Sequence, residues 1–129
     1  MKHDRAMTRN PDHSQAGRET AARHRLLALG ADALEPRPWR PPPVPPSDVD
    51  LAHYALWRAG ELEPDDLRAG LALLAAARAE VDGLEAGLLF VARGAGLTWA
   101  DIAAAMGFNS PQACQQHFTR LAARRGSGA

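Results

Sequence analysis

Residues 96–118 read GLTWADIAAAMGFNSPQACQQHF, and the first half of this stretch carries the start and stop signals of a short helix. Thr98 is a favourable N-cap, and Asp101, three residues later, can return a hydrogen bond to the cap as in a capping box. Gly107 suits the left-handed turn that ends many helices. These signals predict a first helix over about residues 99–106. Its apolar face is Trp99, Ile102, Ala103 and Met106.

A second helix is predicted to follow after a tight turn. Ser110 can cap free backbone amides, and Pro111 tolerates the first helical position, so we expect this helix to span about residues 111–124. Helical periodicity places three apolar side chains on the stripe that must face the core. They are Cys114, Phe118 and Leu121. Two short helices joined in this way predict a helix-turn-helix.

The opposite face of the second helix is polar, nearly uncharged and rich in amides. It carries Gln112, Gln115, Gln116 and Thr119. A solvated helix more usually carries glutamate, lysine and arginine on that face. Glutamine can pair with adenine in the major groove, with ~1–3 kcal/mol of discrimination for each good pair. We therefore predict that these four side chains read DNA bases.

A second group of side chains is predicted to hold the DNA backbone. The group is Arg93, Thr98, Trp99, Ser110, Arg120, Arg124 and Arg125. Its first three members would place the first helix against the sugar-phosphate backbone. The arginines near the end of the second helix could reach phosphates, and such contacts fix the register of a protein on a duplex.

Composition predicts an all-α protein. Of 129 residues 46% are apolar and only 5% are aromatic, and no stretch alternates β-branched and polar residues. We expect a small helical domain with a C-terminal helix-turn-helix and a long preceding helix, plus a proline-rich, partly disordered N-terminal tail. The predicted divisions are a tail over residues 1–46, the DNA-binding domain over residues 47–125 and a disordered C-terminus over residues 126–129.

The N-terminal tail contains three different stretches. Residues 1–14 are polar without periodicity, and we expect disorder. Residues 14–29 predict a weak amphipathic helix that is loose and solvated. Alternatively, its arginines could contact DNA; they are Arg18, Arg23 and Arg25. Residues 36–46 are too rich in proline for a helix or a central strand, which predicts a polyproline-type spacer or, alternatively, a ligand for an aromatic-lined groove. Trp39 is expected to pin this spacer onto the helical domain.

The middle of the chain predicts two further helices. Ser47 can cap a helix over residues 48–59, whose expected core positions are Leu51, Tyr54, Ala55 and either Trp57 or Arg58. Residues 64–92 predict a long helix that is apolar on more than one side, and that either bends near residues 82–83 or projects into a second subunit. We expect its N-terminal half to form a homodimer and its C-terminal half to pack on the helix-turn-helix. The alternative is that helix 48–59 covers the N-terminal half within one chain.

Charge is unevenly distributed along a chain whose net charge is zero. Residues 1–47 carry eight Lys or Arg and five acids, residues 48–92 carry three and nine, and residues 93–129 carry four and one. A neutral total does not exclude nucleic acid, because the basic footprint is local. The acidic middle is either a solvated helix surface or a face that binds a partner.

Enzymatic chemistry finds little support in the sequence. No HExxH, CxxC, GxGxxG or P-loop pattern occurs, and the five histidines lack metal-ligand spacing. We expect no catalytic residue, no metal and no cofactor. The single cysteine, Cys114, excludes an internal disulfide and is expected to be a small packed side chain in a reducing compartment. We expect no signal peptide and no membrane span, and a cytoplasmic location at the nucleoid.

Several blocks of the chain resemble a known family. They are Leu84-Glu85-Ala86-Gly87-Leu88, Gly96 to Ala103, Met106-Gly107-Phe108, Ser110-Pro111-Gln112-Ala113 and Phe118. Together they resemble the small actinobacterial helix-turn-helix DNA-binding proteins, over about residues 48–125. This resemblance implies a transcriptional regulator or nucleoid-associated protein that binds double-stranded DNA with its second helix in the major groove.

Two alternatives to DNA binding stay open. Two helices joined at a glycine also occur in bundles that bind no ligand, as a purely structural hairpin. The chain could also be a helical protein–protein interaction module, such as an adaptor or an antitoxin-like protein, that uses its acidic middle and the Trp39 linker. An adaptor has no need of three exposed glutamines on one helix face, which favours DNA binding. With DNA, two recognition helices of a homodimer would read two half-sites one helical turn apart.

Overall fold

The computed structural model describes residues 11–128, and within this range the protein is all-helical, as predicted. The described part of the chain has six α-helices and two short 3-10 helices, Ala31–Ala33 and Ala59–Glu61. The α-helices are α1 Pro11–Ala28, α2 Asp48–Trp57, α3 Pro64–Ala72, α4 Leu74–Gly94, α5 Trp99–Met106 and α6 Pro111–Gly128. Disorder was predicted for residues 1–14 and 126–129, and of these residues 1–10 and residue 129 lie outside the described part of the chain. Residues 11–14 form the first turn of α1, so the prediction is wrong there.

The chain divides into two compact units. The N-terminal unit is Met1–Arg78 and the C-terminal unit is Ala79–Ala129, so the division falls within α4. The sequence instead placed a boundary between residues 46 and 47. Residues 11–46, which were assigned there to a tail, belong to the same compact unit as α2 and α3.

Helix α1 is part of the core of the N-terminal unit. Leu26 is fully buried and Ala22 is only 5% exposed. The buried cluster is Ala22, Leu26, Ala31, Leu51, Tyr54, Ala55, Ala69 and Leu73. The expected loose, solvated helix is therefore wrong. The apolar pattern of α1 is weak because Ala22 and Leu26 are enough to fill the space between closely packed helices.

Ion pairs join the basic N-terminal segment to the acidic middle of the chain. They are Arg23–Asp48, Arg25–Asp66 and Arg40–Asp50, with nitrogen–oxygen distances of 2.6, 2.6 and 3.2 Å. The carboxylate partners raise the pKa of Arg23 and of Arg25. Two of the three arginines that could alternatively have touched DNA thus bind carboxylates in the N-terminal unit. Part of the acidic middle is accordingly neutralised within this unit.

The proline-rich segment is held by an arginine and not by its tryptophan. Residues 35–46 form turns and irregular backbone, and Trp39 lies 82% exposed in a tight turn. The prediction that Trp39 pins this segment is wrong. Arg40 is buried instead, where it pairs with Asp50 and donates a hydrogen bond to the carbonyl of Glu35 at 3.0 Å. A guanidinium can satisfy several acceptors at once, which suits it to anchoring a loop.

Helix α2 is buried mostly as predicted. Leu51, Tyr54 and Ala55 are in the core, and the Tyr54 hydroxyl donates to the carbonyl of Leu29 at 3.0 Å. Of the two alternatives expected near the core, Trp57 is 76% exposed, whereas Arg58 is half-buried and donates a hydrogen bond to the Tyr54 hydroxyl. Helix α2 ends at Trp57, and the side chain contacts Tyr54 only edge-on, with ring centroids 6.1 Å apart.

The predicted long helix is interrupted at Leu73, and α4 is continuous through residues 82–83, where a bend was expected. Leu73 is fully buried. Its amide donates to the carbonyl of Gly70, three residues earlier, at 3.2 Å. This is the spacing of a 3-10 turn, whereas an α-helical bond spans four residues. A Cβ on Gly70 would lie 2.8 Å from the Ala55 Cβ, so α3 packs closely on α2. Part of the apolar surface of α3 is therefore covered by α2 within one chain. This was the alternative to a homodimer interface at the N-terminal half of residues 64–92.

Asp66 has two structural roles at the start of α3. Its carboxylate accepts a hydrogen bond from the Arg25 side chain at 2.6 Å and another from the backbone amide of Glu63 at 3.0 Å. The second bond belongs to a capping box around the first turn, where Pro64 occupies the first helical position. Arg25, and then the Glu63 amide, lower the pKa of Asp66.

Replacing Leu26 by alanine should lower the free energy of unfolding by about 2–5 kcal/mol, because a fully buried leucine is lost. Leu56→Ala is the matched control, since Leu56 is 74% exposed, and it should change stability by about 0.5 kcal/mol or less. Urea unfolding followed by circular dichroism measures both. Equally small effects would contradict the packing of α1.

Asp66→Asn should lower the thermal midpoint near neutral pH. A carboxylate whose pKa falls on folding stabilises the protein above its unfolded pKa of about 3.9, and this contribution is lost as the pH falls through the lower folded pKa. The deficit of the variant should therefore shrink as the solution is acidified. Asp65→Asn, which removes an exposed pair with Arg68, should have little effect. A deficit of Asp66→Asn that is constant with pH would contradict this role.

Candidate nucleic-acid interface

Helix α5 begins and ends where the sequence predicts. The Thr98 hydroxyl accepts a hydrogen bond from the Asp101 amide at 3.0 Å, and the Asp101 carboxylate accepts one from the Thr98 amide at 2.9 Å. These bonds lower the pKa of Asp101. Gly107 ends the helix in the left-handed conformation, with φ of 82°. A residue other than glycine would be strained there.

Helix α6 starts as predicted and continues further. The Ser110 hydroxyl accepts a hydrogen bond from the Ala113 amide at 3.1 Å, and Pro111 is the first helical residue. The helix continues to Gly128, past the predicted end at residue 124 and into the predicted disordered C-terminus. Residues 122–125 are alanines and arginines, which favour helix, so no stop signal precedes Gly126.

The predicted apolar stripe of α6 lies in the core of the C-terminal unit. Cys114 and Leu121 are almost fully buried, and Phe118 is 6% exposed. Ile102 and Ala103 of α5 complete the buried cluster, and the half-buried Trp99 packs on Phe118 with ring centroids 5.8 Å apart. Met106 was assigned to the same apolar face but is 44% exposed, so it lies at the margin of the core.

The four predicted base-reading side chains share one exposed face of α6. They are Gln112, Gln115, Gln116 and Thr119. Helical periodicity puts this face opposite the buried stripe. The Thr119 hydroxyl donates to the backbone carbonyl of Gln115 at 3.0 Å, so its proton is used within the helix. The three glutamine amides thus supply most of the hydrogen-bonding capacity of this surface, which we call the amide face.

The predicted phosphate-binding residues are only partly gathered. At the start of α5, the Arg93 guanidinium stacks over the Trp99 ring at 5.1 Å and donates to the carbonyl of Leu97 at 3.1 Å. Thr98 and Ser110 use their hydroxyls as helix caps. Stacking on the indole holds Arg93 in place while its edge stays exposed to solvent.

The three arginines near the end of α6 point to different neighbours. Arg120 is exposed, one position after Thr119. Arg124 lies 3.7 Å from the Asp82 carboxylate, and the guanidinium of Arg125 lies over Gly83 of α4. Arg120 is therefore the arginine best placed to act together with the amide face.

His117 makes a contact that the sequence did not predict. Its Nε2 lies 2.6 Å from the Glu85 carboxylate of α4, and its ring lies 5.1 Å from the Phe108 ring and 5.3 Å from the Phe118 ring. Glu85 and His117 are 32 residues apart, so no local spacing could have indicated the pair. His117 thus links α6 to α4.

The environment of Cys114 does not favour nucleophilic chemistry. The thiol is fully buried, and burial, followed by the charge of Glu85, raises its pKa. A nucleophilic cysteine needs the opposite, a lowered pKa and access to solvent. Among residues 11–128, no group of three or more His, Cys, Asp or Glu side chains is placed to hold a metal ion.

Two open apolar grooves lie outside the amide face, one in each unit. The groove of the N-terminal unit has a volume of about 530 Å³ and is lined by leucines of α2, α3 and the start of α4 (Leu56, Leu67, Leu71 and Leu74). The groove of the C-terminal unit, of about 390 Å³, is lined by Val81, Leu84, Leu88, Leu97 and Met106, among others. Exposed apolar surface of this kind is typical of contact sites for other molecules.

Other proteins give no guide to the use of these surfaces. Comparisons with protein-family models, with curated proteins and with solved structures give no match. Within the described residues, no helix combines the length and the apolar character needed to cross a membrane.

Thr98→Ala should lower the free energy of unfolding by about 1 kcal/mol, because the Asp101 amide loses its capping oxygen. Thr98→Ser keeps that oxygen and should be close to the wild type. Denaturant unfolding, followed by Trp fluorescence, measures both variants. If serine and alanine are equally destabilising, the hydroxyl cap is not what stabilises α5.

Proposed function

We propose that the protein binds double-stranded DNA as a transcriptional regulator or nucleoid-associated protein, acting at the nucleoid in the cytoplasm. The observation that carries this proposal is the amide face of α6. Its glutamines are exposed opposite a buried stripe, on a helix face where charged residues would be expected if solvation were its only role. Glutamine amides can donate and accept at the same base edge, as readout of adenine requires.

In this proposal α5 and α6 act as a helix-turn-helix, and α6 is the recognition helix. Helix α5 is eight residues long, and a left-handed glycine separates it from the capped start of α6. In such motifs the N-terminal part of the second helix contacts base edges. Gln112, Gln115 and Gln116 lie in that part of α6 and would make the base contacts, with Thr119 at the end of the set.

Backbone contacts would come from both ends of the motif. Arg93, which stacks on Trp99, would meet a phosphate at the start of α5. Arg120 would meet one beside the amide face. Arg124 and Arg125 would first have to leave Asp82 and Gly83. With so few cations we expect a modest salt dependence, with a slope of about −0.9 for each phosphate neutralised.

The DNA-bound species in this proposal is a homodimer, with its interface within residues 64–92. Two copies related by a two-fold axis would present two α6 helices to two half-sites, one helical turn apart. Engagement of both half-sites raises the overall affinity well above that of one helix. A dimer therefore compensates for the small number of contacts that one copy can make.

A second candidate function is a helical protein–protein interaction module. The apolar groove of the N-terminal unit favours it, because Leu56 and Leu71 are 74% and 67% exposed there. Grooves between helices accept amphipathic helices of other proteins. This reading leaves the glutamines of α6 without a role, and we therefore rank it second.

Fluorescence anisotropy of a labelled random-sequence duplex, titrated with the full chain at two salt concentrations, tests DNA binding. The full chain is needed because Leu26 of α1 is part of the core. Binding should weaken with salt. Arg120→Ala should weaken it on every sequence, whereas Arg68→Ala, an exposed arginine of the N-terminal unit, should not.

Sequence preference should depend on the amide face. Gln112→Ala combined with Gln116→Ala should flatten the preference measured by selection from a random duplex pool, while circular dichroism stays unchanged. Each lost base contact should remove about 1–3 kcal/mol of discrimination. No binding at low salt by the folded chain would overturn the proposal and favour the interaction module. An unchanged preference would overturn the assignment of the base-reading residues.

A further inference from the structure

We infer that Thr119 recognises thymine through contact between its methyl group and the 5-methyl group of the base. This role rests on the proposed DNA binding, and it gives one side chain of the amide face a chemistry different from that of the glutamines. Thr119 is exposed on α6, four residues after Gln115 and three after Gln116. It therefore lies on the helix face that is proposed to enter the major groove.

The hydroxyl of Thr119 is already used within the helix. It donates a hydrogen bond to the backbone carbonyl of Gln115, four residues earlier, at 3.0 Å. A threonine hydroxyl has one proton, so none is left for a base. Guanine offers only acceptors at its major-groove edge, and thymine offers an acceptor oxygen beside its methyl group. In this conformation Thr119 cannot donate to either base.

The same hydrogen bond fixes the methyl group of Thr119. Threonine is branched at Cβ, and the bond to the Gln115 carbonyl selects one of the χ1 rotamers that a helix allows. The oxygen is turned back along the helix, and the methyl group is the other branch of an exposed side chain. An apolar group held in one orientation loses little conformational freedom when it contacts a base.

Thymine carries the complementary group. Its 5-methyl group is the apolar group that the base pairs display in the major groove, and the methyl group of threonine is one of its usual contacts. Contact between two methyl groups removes apolar surface of both partners from water, which is favourable. Cytosine and uracil lack this methyl group, so both should be bound less tightly at the position that faces Thr119.

The oxygen of Thr119 offers a different means of recognition, since a hydroxyl keeps acceptor capacity after it has donated. It could accept from the amino group of adenine or cytosine. Three glutamines of the same face already supply amide oxygens for that purpose. Threonine forms helices less readily than glutamine does, so a fourth glutamine would supply an acceptor with less strain on the helix. The methyl group is what threonine adds to this face.

The position of the thymine relative to the glutamine contacts follows from the spacing of helix and duplex. Side chains four residues apart on a helix, such as Gln115 and Thr119, have Cβ atoms about 5–6 Å apart. Successive base pairs of a duplex are about 3.4 Å apart. The thymine should therefore lie one or two base pairs from the adenine that Gln115 reads.

Replacing thymine by uracil in the DNA tests this role, because the exchange removes only the methyl group. The probe is a labelled duplex that the full chain enriches from a random pool, with its thymines replaced by uracil one at a time. Fluorescence anisotropy measures the dissociation constants. One thymine for each bound α6 should be sensitive, with about fourfold weaker binding, as expected for the loss of one buried methyl group. The other thymines should be insensitive.

Two variants of Thr119 separate the methyl group from the hydroxyl. Thr119→Val keeps a methyl group and removes the hydroxyl, so it should keep the preference for thymine over uracil. Thr119→Ser keeps the hydroxyl and removes the methyl group, so it should bind the two duplexes equally. Circular dichroism should show both variants folded. A preference that is lost with valine and kept with serine would overturn the inference.

These measurements distinguish the role of Thr119 from DNA binding itself. If the wild type binds the enriched duplex but binds its uracil forms equally well, the role of Thr119 is overturned and the glutamines keep theirs. A uracil effect that is spread over many thymines, and is unchanged in Thr119→Ser, would reflect DNA shape and would also overturn it. A folded chain that binds no duplex would overturn the proposed function, and the role of Thr119 with it.

Discussion

Burial of one stripe of α6 decides which side of that helix is available for binding. Phe118 packs on Trp99, and Cys114 and Leu121 are almost completely removed from solvent. Burying a Leu or Phe side chain is worth about 1.5–3 kcal/mol, whereas burying an amide without a hydrogen-bond partner costs free energy. The amide face is therefore exposed as a consequence of packing. The end of α5 and the capped start of α6 fix where α6 begins, and so where the amide face begins.

The uneven charge of the chain has a structural explanation in the N-terminal unit. Arg23, Arg25 and Arg40 bind carboxylates of the acidic middle, so the excess of one sign in each segment is partly cancelled on folding. Each pair has at least one partner that is largely removed from solvent, and together the pairs position α1 and the proline-rich segment. Internal pairing accordingly explains the acidic residues 48–92 better than a partner-binding face does, and the candidate functional surface lies in the C-terminal unit.

Local signals predicted most of the candidate site, and tertiary contacts account for what they missed. The caps at Thr98 and Ser110, the turn at Gly107 and the buried stripe of α6 all follow from spacings of a few residues. Three features were missed. The pairing of His117 with Glu85 and the burial of Arg40 against Asp50 depend on residues that are distant in sequence. The interruption at Leu73 depends on which face of the helix meets its neighbours. The burial of α1 was missed because Ala22 and Leu26 are a weak pattern until α3 is placed against them. Trp39 shows the opposite error, since apolar character alone does not bury a residue held at the tip of a turn.

The most direct test of the account uses the glutamine side chains themselves. The chain has four glutamines, three on the amide face and Gln15 in α1, and each gives a pair of side-chain amide signals in a nitrogen-correlated NMR spectrum. Gln15 is bonded within the N-terminal unit, to Glu19 and to the carbonyl of Ala72, and serves as an internal control. On addition of duplex DNA, the signals of Gln112, Gln115 and Gln116 should shift while those of Gln15 stay in place. Shifts confined to residues of the N-terminal unit, or none at all, would contradict the claim that α6 reads DNA.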